Sequence, residues 1–402
     1  MSALAAITLS PQTFLAIVAA SAVAGTLSAT VRIGGLGAPA VVIELLLGVV
    51  LGPHVLGFHV SQFIQFFSDL GLGLLFYFAG YEIDLHRISG EPLRLALLGW
   101  ALSLVIAYAL GGLLAAAGVV ISLLYTGSAL STTAIGTLIP ILSDAGHLRT
   151  KIGTYLLAAG AVGEFGPVLL LTLILSAEST VHNALILVAF VAIVVAVAVL
   201  AQRSSRVTLP LLERTLESSS QLAVRWIVVL VFALAFLAFK LGLDLLLGGF
   251  AAGMITRQLL KTRELPAFES KLSAVGFGVF VPFFFIVSGM SLDVTPLVTS
   301  AGTIGKVFLF LGLFLVVRGA PALLLYRRVL ERRERIALAL LSSTQLPLVV
   351  AITELATSDG HMRPSTAAAL VGAAALSTLI FPILGIRMSA SAPVHHTAVE
   401  EA

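Results

Sequence analysis

Glu164 is a lone carboxylate in an apolar run, with Gly160-Ala161-Val162-Gly163 before it and Phe165-Gly166-Pro167 after it. An ionised group in hydrocarbon costs on the order of 3 kcal/mol even on a lenient insertion scale, so an acid in such company points to proton or cation binding. Two hydroxyl clusters stand beside helix breakers: Ser131-Thr132-Thr133 ahead of Gly136 and Pro140, and Ser342-Ser343-Thr344-Gln345 ahead of Pro347. Unwound backbone is tolerated in a membrane only where protein or a watery cavity shields it, and its carbonyls, with Thr and Ser hydroxyls, are hard ligands suited to an alkali cation. Arg318, between Val317 and Gly319, keeps its charge at any physiological pH and needs an anion or a helix C-terminus. The chemistry implied is competition for one carboxylate. Glu164 holds a proton or a monovalent cation but not both, Ser131, Thr132 and Thr133 supply oxygen ligands, and Arg318 is the electrostatic partner. Ser343, Thr344 and Gln345 form a second half-site. Each has a structural alternative: kinked helices with back-bonded hydroxyls, a permanently protonated Glu164, and an Arg318 that snorkels toward the surface.

These residues need a scaffold, and composition fixes its class. With 59% hydrophobic and 11% charged residues, the chain is too apolar for a soluble protein of its length. Segments of roughly 20 apolar residues span a bilayer, and about thirteen are expected, near 10–30, 37–58, 62–83, 92–117, 119–142, 151–176, 183–202, 221–240, 242–260, 270–291, 300–326, 335–357 and 365–386. Glu164 then lies close to mid-membrane. There are no cysteines, so disulfides and thiolate metal sites are excluded. No His-Glu-x-x-His signature accompanies the apolar runs, so an intramembrane enzyme is not expected, and neither a cofactor nor a nucleic-acid partner is implied.

Basic residues alternate between loops. One set holds Arg32, Arg87, Arg94, Arg149, Lys151, Arg203, Arg206, Arg214, Arg257, Lys261, Arg263, Lys271, the Arg327 to Arg335 cluster and Arg387, while the other holds Lys240, Lys306 and Arg363. The richer set is expected in the cytoplasm, with the N-terminus outside and the C-terminus inside. The first apolar run has no preceding Lys or Arg and reads as a retained helix. The other carboxylates, Glu44, Glu82, Asp84, Asp244 and Glu354, are expected near helix ends, where interfacial capping explains them. Asp69 sits deeper, where it could line an outer funnel. His147 and His361 read as solvated loop residues.

The segments are written twice. Glu44-Leu45-Leu46-Leu47-Gly48 returns as Asp244-Leu245-Leu246-Leu247-Gly248, and Phe-x-x-x-Gly-x-x-x-Asp ends at Asp84 and again at Asp293. Ser131-Thr132-Thr133 is followed by Ser342-Ser343-Thr344, and Gly146-His147-Leu148-Arg149 by Gly360-His361-Met362-Arg363. Matching spans are seven crossings apart, and an odd separation forces opposite orientations. Inverted repeats with paired interrupted helices are the architecture of alternating-access transporters. The expected organisation is an N-terminal transmembrane half over 1–202, a cytoplasmic linker over 203–220, a C-terminal half over 221–388 and a short tail over 389–402.

The run from Ile43-Glu44 to Gly52-Pro53, the motif ending at Asp84, the Ser131-Thr132-Thr133 helix, and Pro282-Phe283-Phe284-Phe285 through Gly289-Met290 to Asp293 together resemble the monovalent cation:proton antiporter-2 family. The resemblance covers nearly the whole membrane part. It implies an all-α antiporter fold with two crossed discontinuous helices, an elevator-like core domain, and a homodimer in the bacterial inner membrane. It also implies a cation site with an acidic pair, whose first position is Gly163 here and whose second is Glu164. Gln345 stands where an acid is expected on the twelfth helix, and Arg318 where a Lys or Arg is expected. The implied activity is exchange of Na⁺ or K⁺ for protons, roughly one for one. A sodium-coupled small-solute symporter shares the architecture and is the alternative. Many relatives carry a cytosolic nucleotide-binding module; the residues after Arg387 read only as a tail.

Overall fold

The computed structural model describes residues 10–389 except 34–35, 84–87, 145, 149, 176–179, 216–219, 244 and 261–265, so Asp84, Arg87, Arg149, Asp244, Lys261, Arg263 and the expected tail lie outside it. The fold is helical. In chain order it comprises α1 (Pro11–Thr30), β1 (Arg32–Ile33), β2 (Leu36–Gly37), α2 (Ala40–Leu51), α3 (Gln62–Glu82), α4 (Glu91–Ala116), α5 (Leu123–Leu130), α6 (Ile135–Asp144), α7 (Lys151–Leu175) and α8 (Thr180–Thr215). There follow α9 (Leu222–Lys240), α10 (Leu245–Leu260), α11 (Pro266–Val275), α12 (Val281–Ser291), α13 (Thr295–Thr299), α14 (Ala301–Phe314), α15 (Ala320–Leu325), α16 (Arg332–Ser342), α17 (Pro347–Ser358) and α18 (Pro364–Ser389). Strands β1 and β2 form a two-residue antiparallel ladder.

Among the described residues, ten helical segments are long and apolar enough to cross a membrane, and three shorter apolar ones, Ala40–Leu51, Leu123–Ile139 and Leu246–Leu260, fall where the remaining expected spans lie. The segment expected as a linker from 203 to 220 continues α8 as helix through Thr215. Glu44 departs from expectation. It lies on the packed face of α2 and is 5% exposed, not at an interface.

Two pairs of helices pack through glycine. In α2 and α12, Gly48 lies on the carbonyl of Ile286 and Gly289 on that of Leu45; in α3 and α10, Gly80 lies on the carbonyl of Phe250 and Gly253 on that of Tyr77. A Cβ at any of these four positions would overlap backbone. The sequence repeat relates α2 to α10 and α3 to α12, so each pair joins one helix of either kind; Gly80 and Gly289 are duplicated positions, whereas Gly248, the repeat of Gly48, lies against Ala235 of α9.

The duplicated Gly-His loops also have one local cause. Gly146 and Gly360 each have φ of 72°. His147 N–H donates to Leu142 O at 2.9 Å and His361 N–H to Ala356 O at 2.8 Å, the six-to-one bond of a Schellman cap after α6 and after α17. The loops lie at opposite ends of α18. His361 precedes its start and meets the Tyr125 ring edge-on at 5.4 Å, while His147 Nε2 is 3.4 Å from Ser389 Oγ at its end. Twenty-six helical residues separate those ends, about 39 Å at 1.5 Å per residue.

One face of the bundle gathers the ends richest in arginine. Tyr155 of α7 donates to Glu91 Oε2 at the start of α4 at 3.0 Å, and its ring meets Tyr326 edge-on at 5.7 Å, just after α15. Arg327, Arg328, Arg332 and Arg333 follow at once.

Candidate functional site

Hydroxyls unwind the first interrupted helix. Ser131 Oγ donates to Ser128 O at 2.9 Å and Thr132 Oγ1 to Ala129 O at 3.0 Å, the local back-bonding that competes with helix continuation. The N–H groups so released find partners elsewhere in the fold. Thr133 N–H donates to Gly163 O at 3.1 Å and Ala134 N–H to Thr344 O at 2.8 Å, and Ile135 N–H donates to Glu164 Oε2 at 3.2 Å. Gly163 O is available because Pro167 lies four residues on, inside α7, and has no N–H to give it.

The second break is built alike. Ser343 Oγ donates to Ala339 O at 2.7 Å, and Pro347 starts α17 without needing a donor. Gln345 N–H donates to Ser377 Oγ at 2.9 Å, while Gln345 O accepts from Ser377 at 3.0 Å and Thr378 at 3.1 Å. The side chain of Gln345 ties the two breaks together: Oε1, at 2.8 Å from Thr132 Oγ1, shares that hydroxyl's one proton with Ala129 O, and Nε2 donates to Leu130 O at 3.2 Å. Ser131, Thr132, Thr133, Ser343, Thr344 and Gln345 are all 1% exposed or less. Thr344 Oγ1 has no hydrogen-bond partner among the described residues.

Glu164 is 3% exposed and lies thirteen residues into α7, about 20 Å along it. Its carboxylate faces the start of α6, where the helix dipole and free N–H groups favour negative charge. Neither Glu164 nor Arg318 has an ion-pair partner within 4.0 Å among the described residues. Arg318 therefore differs from its expected role as the partner of Glu164. Its Nε donates to Thr133 Oγ1 at 2.9 Å, Nη1 to Ser103 Oγ at 3.3 Å and Nη2 to Ala159 O at 3.0 Å. At 5% exposure it does not snorkel. Pro321 explains the local backbone: lacking an N–H, it leaves Val317 O free, the helix widens to a π turn over Leu315–Gly319, and Ser103 Oγ donates to Val317 O at 2.9 Å. Gly163 is required here, because a Cβ would overlap Arg318 Nη2.

The site is thus two linked groups. Glu164 holds the end of α6, while Thr133, which also donates to Ser342 O at 2.6 Å, joins Arg318 to the first break. Thr132 faces Gln345. The hydroxyls expected to ligate a cation beside Glu164 are committed to the scaffold in this state.

A cavity of about 340 Å³ approaches from the arginine-rich face. It is lined by Ile135 and Ala161 together with Tyr81, Glu82, Arg257 and Glu269. Tyr81 donates to Glu269 Oε1 at 2.5 Å, and the Arg257 guanidinium lies over the Tyr81 ring at 5.6 Å. Glu82 corrects the expectation of an interfacial cap: it lines this cavity, and its Oε2 is enclosed with no hydrogen-bond partner among the described residues. On the opposite face, a cavity of about 290 Å³ is lined by Asp69, Gln65 and Glu354, and another of about 270 Å³ by Ser288, Asp293 and Glu354. Asp69 accepts from Gln65 Nε2 at 3.0 Å.

Crossed interrupted helices around a buried carboxylate, with a cavity that comes up to Ile135 and Ala161 beside it, define a membrane transporter fold for small ions. Residues 18–386 match the family model described as sodium/hydrogen exchanger, transmembrane, and the chain belongs to that family. It is similar to the Na(+)/H(+)-K(+) antiporter GerN of Bacillus cereus, 27% identical over 267 residues, covering 64% of this chain and 66% of GerN. It is also similar to the high-affinity Na(+)/H(+) antiporter NhaS3 of Synechocystis, 26% identical over 337 residues, covering 80% of this chain and 70% of that one. A match to the putative Na(+)/H(+) antiporter YjbQ of Bacillus subtilis spans 58% of that relative's length. The fold is that of the sodium proton antiporter MjNhaP1 of Methanocaldococcus jannaschii, with a TM-score of 0.65, 15% identity and 95% of each chain covered.

Proposed function

We propose that the chain exchanges a monovalent cation, Na⁺ or K⁺, for protons by alternating access, with Glu164 as the carboxylate both ions share. The observation that carries this reading is a buried acid at a helix N-terminus with no cationic partner among the described residues, since Arg318 is held by Thr133, Ser103 and Ala159. Such a group is not neutralised by the protein, so a mobile cation or a proton must do it. The named relatives support the same exchange; nothing comparable supports the symporter. The cavity on the arginine-rich face is lined by Ile135, whose N–H Glu164 accepts, which supports access to Glu164 from that face. The basic clustering there supports a cytoplasmic assignment, with the N-terminus outside. The opposed Gly-His loops support inverted halves over 1–202 and 221–388 joined by 203–220. The lipid-ready exposed faces of α1, α8 and α9 leave room for a second copy and for the bilayer of a bacterial inner membrane, and an elevator motion of the core around Glu164 completes the cycle. A carboxylate carrying one charge beside an Arg that keeps its proton gives electroneutral one-for-one exchange.

The test is proton movement in reconstituted vesicles on adding Na⁺, K⁺ or Li⁺, read with an internal pH dye. Wild type is expected to respond and Glu164→Gln to be silent. Full activity in Glu164→Gln, or a transport current that reverses with voltage, would overturn the reading.

A further inference from the structure

The cavity on the arginine-rich face holds an acid that the exchange at Glu164 does not use. Of its carboxylates, Glu269 is occupied by the Tyr81 hydroxyl at 2.5 Å. Glu82 is not: its Oε2 is enclosed without a partner among the described residues, although leaving a buried acceptor unpaired is costly. It is also the last residue of α3, where the dipole adds negative potential and favours a cation. Glu82 and Ile83 line the same cavity as Ile135 and Ala161. Ile135 supplies the N–H that Glu164 accepts, and Ala161 lies one turn before Glu164 on α7. The two carboxylates are close enough to interact electrostatically. At about 340 Å³, against a liquid volume of ~30 Å³ per water, the space admits a hydrated alkali ion.

We propose that Glu82 is a loading site: an incoming monovalent cation is first held at Glu82 in this cavity and then passes to Glu164. The inference rests on the exchanger reading and adds to it a residue that sets cation affinity from one face only. The wall chemistry fits no anion, since Arg257 is drawn over the Tyr81 ring and the enclosed, uncommitted oxygen is acidic.

The experiment uses the full chain in vesicles of known sidedness, with initial exchange rates measured against Na⁺ or K⁺ added on either face, for wild type, Glu82→Gln and Glu82→Asp. Glu82→Gln is expected to raise the half-saturating cation concentration from the arginine-rich face by roughly tenfold, the equivalent of one lost favourable contact, without moving it from the other face. Glu82→Asp is expected to lie between the two. Unchanged half-saturation, an equal shift from both faces, or Glu82→Asp as impaired as Glu82→Gln would overturn the proposal. Should Glu82→Gln not assemble, carbodiimide labelling of Glu82 in Glu164→Gln protein, read by mass spectrometry, decides the matter. Severalfold slowing by Na⁺ or K⁺ supports loading at Glu82, and no slowing overturns it. Wild type that fails to exchange any alkali cation sinks the exchanger reading and this proposal together; normal wild-type exchange with unaltered Glu82→Gln kinetics sinks only the proposal.

Discussion

Gly163→Ala tests the Arg318 arrangement with one methyl group. An added Cβ would overlap Arg318 Nη2 and meet Thr133 Oγ1 at 2.9 Å and Arg318 Cζ at 3.0 Å. The guanidinium is 5% exposed and walled by α4, α7 and the first break, so it has no open direction in which to retreat. Moving it breaks the bond from Nη2 to Ala159 O at 3.0 Å and strains that from Nε to Thr133 at 2.9 Å. Hydrogen bonds to charged groups contribute about 1.5–3 kcal/mol each, so the expected cost is about 3 kcal/mol, even though Ala is the better helix former by about 1 kcal/mol. Arg318→Ala empties the same space. In that background Gly163→Ala meets only Thr133 Oγ1, and its cost should fall close to zero. The cycle therefore predicts a coupling of about 2–3 kcal/mol between adjoining residues. Thermal unfolding of the four purified proteins in one detergent reads it: Gly163→Ala should lower the midpoint by several degrees in wild type and hardly at all beside Arg318→Ala. Additive midpoints, or a Gly163→Ala protein as stable as wild type, would refute the placement of the guanidinium against Gly163.

Gln345→Leu removes both side-chain bonds between the breaks and leaves Leu130 O unpaired, so stability should fall by about 1–3 kcal/mol, measurable by the same melts; unchanged stability would deny Gln345 its bridging role. Pro167→Ala returns an N–H opposite Gly163 O, where it competes with Thr133. A protein at least as stable as wild type but slower in vesicle exchange is expected, and undiminished exchange would contradict this. Gly146→Ala and Gly360→Ala each force a φ of 72° on a Cβ with open space around it. Equal costs of about 1 kcal/mol are expected, recovered in part by Asn, and unequal costs would argue against equivalent caps.

What was legible in the sequence was whatever depends on local chemistry. Apolar runs disclose helices, and hydroxyls beside Gly or Pro disclose where a helix stops. The Gly-His loops were legible because a helix cap needs a left-handed residue, and only the position of that glycine had to be read. Glu164 stood out through depth alone. Partners were another matter. Arg318 needs an anion or a helix C-terminus by its chemistry alone, yet the fold meets its guanidinium with the hydroxyls of Thr133 and Ser103 and the carbonyl of Ala159. Those bonds join residues 185 and 159 positions apart, a separation no local pattern encodes. The setting of Glu82 is hidden from local pattern for the same reason. Its position at the end of α3 resembles an interface, and only the packing of α3 against α6, α10 and the turn Gly276–Phe280, with Tyr81 bonded to Glu269 of α11, turns that end into a cavity wall.

The duplication also bears on how many ions one chain carries. The 214-residue offset between Gly146 and Gly360 places Gly163-Glu164 on Ser377-Thr378, and both pairs face their breaks. In the first copy Gly163 O and Glu164 Oε2 receive the N–H groups of Thr133 and Ile135. In the second, Ser377 receives the N–H of Gln345, and both hydroxyls return bonds to its carbonyl. The two positions both satisfy the backbone of a break, but one brings an ionisable group and the other only neutral ones. Hydroxyls satisfy the Gln345 backbone of the second break with neutral groups that need no counter-ion. The carboxylate satisfies the first break only by bringing a charge that the described residues do not neutralise. Of the two positions only Glu164 therefore requires a mobile ion, which supports one exchangeable charge at the breaks and, with Arg318 keeping its proton, exchange there that moves no net charge.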